Sequence, residues 1–351
     1  MNKLTTIDSV PLSRRRLVTL AGASVLALAL GGCSAAGSGQ ATGSTKDSGK
    51  LNEVHIGDQP SFITLKIADA KGFFKDEFDK DGITIKVDNF VKQGSAVIEA
   101  LKAGSLQAGV VGSMPLVAAV ASGSPFKLLT SVNYSKDTFK LFVAKDSPIK
   151  SVKDLKGKKL GVKFSSNEHE MALTLLKQAG LTTQDVQVAN ISAEDSLNSL
   201  LNGSVDATVL RADQLEPAQA AGAVAIADNS QTGLIVNGLI ATEDFISQHG
   251  DIAARLVKVL YKTVKWIDEN EDETLKIFIE KTKLSEKAAK TSFESRQRAI
   301  SVQDAILKAP IERTIGFSLD QKLISKKITV DDVVDTSVFE KAGVSDDEYQ
   351  G

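Results

Sequence analysis

From Leu51 onward, short apolar runs alternate with longer segments whose apolar residues recur at helical spacing. EVHIGDQ, ITIKVDNF and LQAGVVG read as strands. FITLKIADAKG, SAVIEALKAG and MPLVAAVASG read as helices that stop at Gly72, Gly104 and Gly123. A glycine just past a helix supplies the left-handed residue that closes it. Strands alternating with helices of this length predict an α/β fold built on parallel sheet.

The pattern then repeats. SAVIEALKAGSLQAGVVGS, Ser95 to Ser113, matches AEDSLNSLLNGSVDATVLRA, Ala193 to Ala212, when Gly104 is set on Gly203. Ile98 falls on Leu197, Leu101 on Leu200, and Val110-Val111 on Val209-Leu210. The same unit therefore occurs once in each of two α/β lobes. DSPIKSVKDLKGKKLGVKF opens the second lobe and NSQTGLIVNGLIATEDF returns to the first. The expected boundaries are 51–144 for the first part of lobe 1, 145–230 for lobe 2, and 231–351 for the return to lobe 1 with long covering helices.

The first 50 residues follow a different pattern. Arg14, Arg15 and Arg16 precede an apolar run from Leu17 to Leu30, too short to cross a bilayer comfortably as a helix. The run ends in Leu30-Gly31-Gly32-Cys33, which looks like a bacterial lipobox, so residues 1–32 read as a signal peptide and Cys33 as the lipidated residue. SRRRLV also resembles a twin-arginine export motif, and Sec against twin-arginine export stays open. Residues 33–50, rich in Gly, Ser, Thr and Ala, read as a flexible tether. The expected product is exported and lipid-anchored at the outer face of the cytoplasmic membrane.

Charge and cysteine narrow the classes further. The formal net charge of the whole chain is −2, and removal of residues 1–32 takes four basic residues and one acid, leaving −5. A nucleic-acid partner drawn by bulk positive charge is not expected. Cys33 is the only cysteine, so a monomer has neither a disulfide nor a cysteine metal cluster. A monomer is the expected state.

The stretch KFSSNEHE, Lys163 to Glu170, concentrates chemistry between a strand and a helix. A nucleophilic serine needs a base within hydrogen-bond reach and a third group to orient it. The chain has three histidines, His55, His169 and His249, and no G-x-S-x-G elbow near these serines. Glu168, His169 and Glu170 are adjacent, so on a helix they point about 100° apart and do not converge on one metal ion. His169 is expected to be partly exposed in the first helical turn, and the two glutamates to complement the helix dipole. No catalytic residue, no metal and no cofactor is expected.

A helix start carries N–H groups without internal partners. In open α/β sheets those donors gather at the carboxyl edge, where ligands bind. Four strand-to-helix turns carry small or polar residues there: Gln59-Pro60-Ser61, Gln93-Gly94-Ser95-Ala96, Gly112-Ser113-Met114-Pro115 and Phe164-Ser165-Ser166-Asn167. Gln59, Ser61, Gly94, Ser95, Gly112, Ser113, Ser165, Ser166 and Asn167 are the candidate polar lining of a cleft for a small anion. The competing role for Ser165 or Ser166 is to cap its own helix. Phe62, Tyr134 and Phe164 lie nearest the expected cleft, with core packing as their competing role. Arg211, aligned with Gly112 by the repeat, either enters the cleft or pairs with Asp213 or Glu216 in solvent. Four helix termini supply about 1–4 kcal/mol to a nearby negative charge, while micromolar binding needs about 8. Further hydrogen bonds, apolar contact and a full charge must contribute the rest.

LKIADAKGFF, QGSAVIEALKAGSLQAGVVGSMPLVAAVASGSPFKLL, SPIKSVKDLKGKKLGVKF and ALTLLKQAGLTTQDVQVANI resemble the bacterial ABC-importer substrate-binding proteins of the nitrate/sulfonate/taurine type, whose wider group includes thiamine-pyrimidine binders. The resemblance covers about residues 52 to 345. It implies a two-lobed periplasmic-binding-protein fold of type II with two hinge crossings, no enzymatic activity, and a membrane permease as partner. It implies capture of a small organic anion, sulfonate-like, with a thiamine-type pyrimidine or other neutral heterocycle, or a non-transport lipoprotein sensor reusing the fold, as the alternatives. Sulfonate-type members often carry a Trp-Asp-Pro-like block after GxxDA. Here Gly203-Ser204-Val205-Asp206-Ala207 leads to Leu210-Arg211-Ala212-Asp213, so Arg211 stands where the aromatic would be.

Overall fold

A computed structural model of the chain describes residues 51–90, 93–135 and 137–346. The signal peptide, tether and Cys33 expectations lie outside the described residues. The strands are β1 (Glu53–Asp58), β2 (Thr84–Asn89), β3 (Ala108–Gly112), β4 (Phe126–Ser135), β5 (Phe139–Val143), β6 (Lys159–Val162), β7 (Gln187–Asn190), β8 (Ala207–Arg211), β9 (Val224–Asp228), β10 (Ile235–Thr242) and the short β11 (Gln297–Arg298). They form two sheets, in the orders β11-β4-β10-β3-β1-β2 and β7-β6-β8-β5-β9. In the first, β1 runs parallel to β2 and β3, and β10 runs antiparallel to β3. In the second, β6 runs parallel to β7 and β8, and β5 runs antiparallel to β8.

The two sheets thus share one plan: second strand, first, third, then an antiparallel strand contributed by the other end of the lobe. The sequence repeat falls on equivalent places. Helix α3 (Gln93–Lys102) leads through Gly104 to β3, and α6 (Ala193–Leu201) leads through Gly203 to β8. Gly104 and Gly203 have φ of 72° and 76°, the left-handed region that favours glycine.

The remaining helices of the first half are α1 (Thr64–Ala70), α2 (Phe73–Phe78) and α4 (Ser113–Ala121). Lobe 2 adds α5 (Asn167–Gln178) and α7 (Ala212–Ala220). After β10 come α8 (Glu243–Glu269), α9 (Glu271–Thr282), α10 (Glu286–Glu294) and α11 (Lys308–Asp320). One face of the larger sheet is covered by α1, α2 and α8, burying Phe74, Phe78, Leu256 and Leu260. The other face is covered by α3, α4 and α11, burying Val97, Leu116, Val117 and Ile311. Trp266 is partly buried and meets Phe73 edge-on at 6.2 Å.

Two segments cross between the sheets, one from β4 to β5 and one from β9 to β10. Phe139–Val143 belongs to the smaller sheet, so the first crossing falls before Phe139 and not after residue 144. An isolated apolar run does not reveal which sheet it will pair with. Buried Asn229 staples the crossings: its Oδ1 accepts from the Phe139 N–H at 2.8 Å, and its Nδ2 donates to the Ser135 carbonyl at 3.2 Å. Away from these crossings, α10 lies against α7, so the lobes also meet there.

Candidate ligand-binding cleft

Between the lobes lies a cleft of about 520 Å³, counted to its open mouth. Lobe 1 contributes Gln59, Ser61 and Phe62 from the β1–α1 turn, Gly94 and Ser95 from the start of α3, and Gly112 and Pro115 from the β3–α4 junction. Lobe 2 contributes Lys163, Phe164, Ser165, Ser166, Asn167 and Glu168 from the β6–α5 junction, with Phe139 and Arg211. Asn237 and Arg296 complete the wall. Every residue expected from the sequence to line a site is brought together here except Ser113 and Tyr134. Ser113 is buried, and its hydroxyl lies within hydrogen-bond distance of Thr314 Oγ1 on α11, at 3.3 Å. Tyr134 is buried in β4 and does not line the cleft.

The β1–α1 turn is held by a buried lysine. Lys66 Nζ donates to Asp58 Oδ2 at 2.5 Å, to the Gln59 carbonyl at 2.6 Å and to the Phe62 carbonyl at 2.8 Å. Burial pushes the Asp58 carboxyl up, against the pull of Lys66. Gln59 is anchored by Nε2 donating to the Val110 carbonyl at 2.8 Å. Three short bonds from one ammonium fix the shape of the loop that carries Ser61 and Phe62.

At the β6–α5 junction the serines divide their labour. Ser166 is the helix cap: its hydroxyl accepts from the His169 N–H at 3.3 Å and donates to the Lys163 carbonyl at 2.7 Å. Ser165 is exposed, with φ of 57°, which turns the chain into the helix. Asn167 reaches across to lobe 1, where its Oδ1 accepts from the Met114 N–H at 3.2 Å. A Cβ on Gly112 would lie 2.3 Å from Asn167 Nδ2, so the lobes touch here only because Gly112 has no side chain.

Two expectations for this junction are corrected. His169 is buried, 5% exposed, and not partly exposed, because its ring stacks on Phe164 at 4.9 Å beneath the cleft rim. Burial lowers its pKa to about 4, so it is neutral near pH 7. Glu168 and Glu170 do more than complement the helix dipole. Glu168 lines the cleft, and buried Glu170 accepts from Thr314 Oγ1 at 3.0 Å and from Arg313 Nε at 3.5 Å. Burial pushes the Glu170 carboxyl up, while Arg313 and Thr314 oppose the shift.

The two arginines differ in their compensation. Arg211 both enters the cleft and pairs: Nε donates to Asp213 Oδ1 at 2.9 Å, and Nη2 lies 3.7 Å from Glu194. Burial works against its charge, but Asp213, Glu168 and Glu194 outweigh burial and hold its pKa above the ordinary value. Arg296 is 6% exposed and makes no carboxylate ion pair among the described residues. Its Nη1 donates to Ser292 Oγ at 2.9 Å and to the Ser61 carbonyl at 3.3 Å, and the guanidinium sits 5.8 Å from the Phe62 ring centre. Burial pulls its pKa down to about 10, with Arg211 adding repulsion and Asp213 and Glu168 opposing. A buried guanidinium satisfied only by neutral acceptors retains a strong preference for an anion.

Arg296, Phe139, Asn237, Lys163 and Glu168 are cleft residues that the sequence pattern does not single out as lining. Lys163 and Glu168 adjoin the Phe164–Asn167 turn, and Asn237 is a polar residue inside the apolar run LIVNGLIA, a signal that could have found it. Arg296 and Phe139 carry no local signal. Among the described residues, no group of three or more His, Cys, Asp or Glu is placed to hold a metal ion.

Two lobes of like topology, joined by two crossings and enclosing a polar cleft, define a substrate-binding protein of the two-lobed periplasmic-binding-protein type. The chain belongs to the NMT1/THI5-like family, whose model matches residues 59–274. It is 34% identical over 309 residues to the "Putative aliphatic sulfonates-binding protein" of Bacillus subtilis (strain 168), covering 86% of this chain and 91% of that one. It is 25% identical to the "Taurine-binding periplasmic protein" of Escherichia coli (strain K12), covering 58% and 63%. Among solved structures, the alkanesulfonate-binding protein SsuA from Xanthomonas axonopodis pv. citri bound to MOPS shares the fold with a TM-score of 0.73 at 20% identity, covering 81% of this chain and 98% of that one. The fold also serves chemistry elsewhere: the desulfurization enzyme DSZB aligns with a TM-score of 0.61 at 17% identity, covering 83% and 99%.

Proposed function

We propose that this chain is the solute-binding component of an ABC importer, exported and lipid-anchored through Cys33, which captures a small organic anion of the sulfonate type and delivers it to a membrane permease. The carrying observation is Arg296: a buried guanidinium, without a carboxylate partner among the described residues, facing the same cleft as Arg211. An anion seated between them relieves their mutual repulsion and supplies the missing countercharge. Phe62, Phe139 and Phe164 offer apolar contact to an organic body, which suits a sulfonate better than a bare inorganic ion. The names of the relatives point the same way. Binding without chemistry fits the site, because its nearest histidine, His169, lies buried under Phe164 with its ring against aromatic surface.

The test is calorimetric titration of the mature chain with ethanesulfonate, nitrate, acetate and a thiamine-type pyrimidine. Sulfonate binding at micromolar Kd or tighter is the expected result. Binding of the pyrimidine alone would sink the anion reading and support the alternative. For the anchor, Cys33→Ala is expected to release the protein from membranes into the soluble fraction. Continued membrane association of that variant would remove the lipobox assignment.

A further inference from the structure

The cleft does not end at its mouth. Ser95, Pro115 and Ser165 line it and also line a second space, which runs between α3 and α4. That groove is walled by Ser95, Ile98, Glu99 and Lys102 on one helix and by Pro115, Ala118, Ala119 and Ser122 on the other. Each set has the spacing i, i+3, i+4, i+7, a single helical face. Seven residues of helix rise about 10 Å, so the groove extends roughly that far from the cleft mouth. Its floor is apolar: Ile98 and Ala119 are buried, and Pro115 and Ala118 are half-buried. The groove exists because Ala118 and Ala119 are small where a larger residue would close it. At the far end the Lys102–Glu99 pair, 3.2 Å apart, and Ser122 return it to polar surface.

We infer that the α3–α4 groove is a subsite for the apolar tail of the ligand, so that the protein selects organic sulfonates by chain length. The assignment rests on the anion reading above: the head group sits between Arg296 and Arg211, and the tail leaves past Ser95, Pro115 and Ser165. A bare or two-carbon anion fills only the inner cleft, whereas a longer alkyl chain removes its methylenes from water along Ile98, Ala118 and Ala119. Each buried methylene raises affinity about threefold to fourfold.

The experiment is a calorimetric series of ethanesulfonate, butanesulfonate, hexanesulfonate and octanesulfonate on the full mature chain, on Ala118→Leu and on Ser122→Trp. In the parent, affinity is expected to climb at least tenfold from ethanesulfonate to octanesulfonate. In Ala118→Leu, which fills the middle of the groove, that ratio is expected to collapse by about tenfold. In Ser122→Trp, an exposed substitution at the far end, the climb is expected to stop at a shorter chain. Short sulfonates that bind with no gain along the series would overturn the subsite alone. A ratio that neither variant moves would likewise overturn it. Failure of every sulfonate to bind would overturn the anion reading, and the subsite with it.

Discussion

Arg296 and Arg211 occupy one cleft in different electrostatic states, and this sets the first prediction. Arg211 already has Asp213 and Glu194 as countercharges, whereas Arg296 has only neutral acceptors. Arg296→Gln is therefore expected to cost an anionic ligand about 2 kcal/mol or more, the scale of losing one partner of a buried charged pair. Arg211→Gln is expected to cost less, because Asp213 and Glu194 currently offset part of its charge. Calorimetric titration of both variants decides the order, and equal losses would remove the distinction. Of the two, only Arg211 was legible in the sequence, because the internal repeat placed it at a strand end. Arg296 follows α10 in a segment with no repeat partner, and only long-range packing brings it to Ser61 and Phe62.

At the scale of elements, the β6–α5 junction combines a strand end, a left-handed serine, a cap and a helix whose first turn is buried. The hydroxyls and the cap were readable from residue types, since Ser before an acidic first turn is a helix start. The burial of His169 was not, because it depends on Phe164 folding back over the ring. That burial has a pH consequence. The folded state keeps His169 neutral down to about pH 4, while the unfolded chain takes up a proton near 6.5. Between those values the unfolded state binds more protons, so stability falls as pH drops from about 6.5 toward 4, by about 3 kcal/mol in all. Glu170, raised above 4.5, acts in the opposite sense, losing stability as pH rises through its own window. Denaturant titrations from pH 7 to 4 on the parent and on His169→Gln isolate the histidine. The variant is expected to show a shallower acid-side decline, and identical slopes would discount the buried ring.

For the whole molecule, the lobes are tied at more than the two crossings. Glu170 on α5 meets Thr314 and Arg313 on α11, and Arg313 Nη2 also donates to the Leu234 carbonyl at 2.6 Å. Lys177 and Asp320 extend the same line of contact at 2.7 Å, and Phe317 packs on the core of lobe 2. A helix of lobe 1 thus bears on lobe 2 beside the hinge. Glu170→Ala is expected to destabilise the fold by about 2 kcal/mol, below the range for a fully buried pair because Arg313 is one-third exposed. Chemical denaturation measures the loss. Small-angle scattering of the ligand-free variant is expected to show a larger radius than the parent, and an unchanged radius would confine Glu170 to local stability. Motion of the lobes about a hinge is the way such folds enclose ligands.

Taken alone, the sequence determined the α/β class, the twofold repeat and the four polar turns, because hydrophobic period, helix-stopping glycines and capping residues act over a few neighbouring positions. The tertiary structure alone decided which sheet Phe139–Val143 joins, that Ser113 turns away to Thr314, that His169 is buried, and that Arg296 completes the cleft. Each of these depends on contacts between residues far apart in the chain, where no local pattern records the partner.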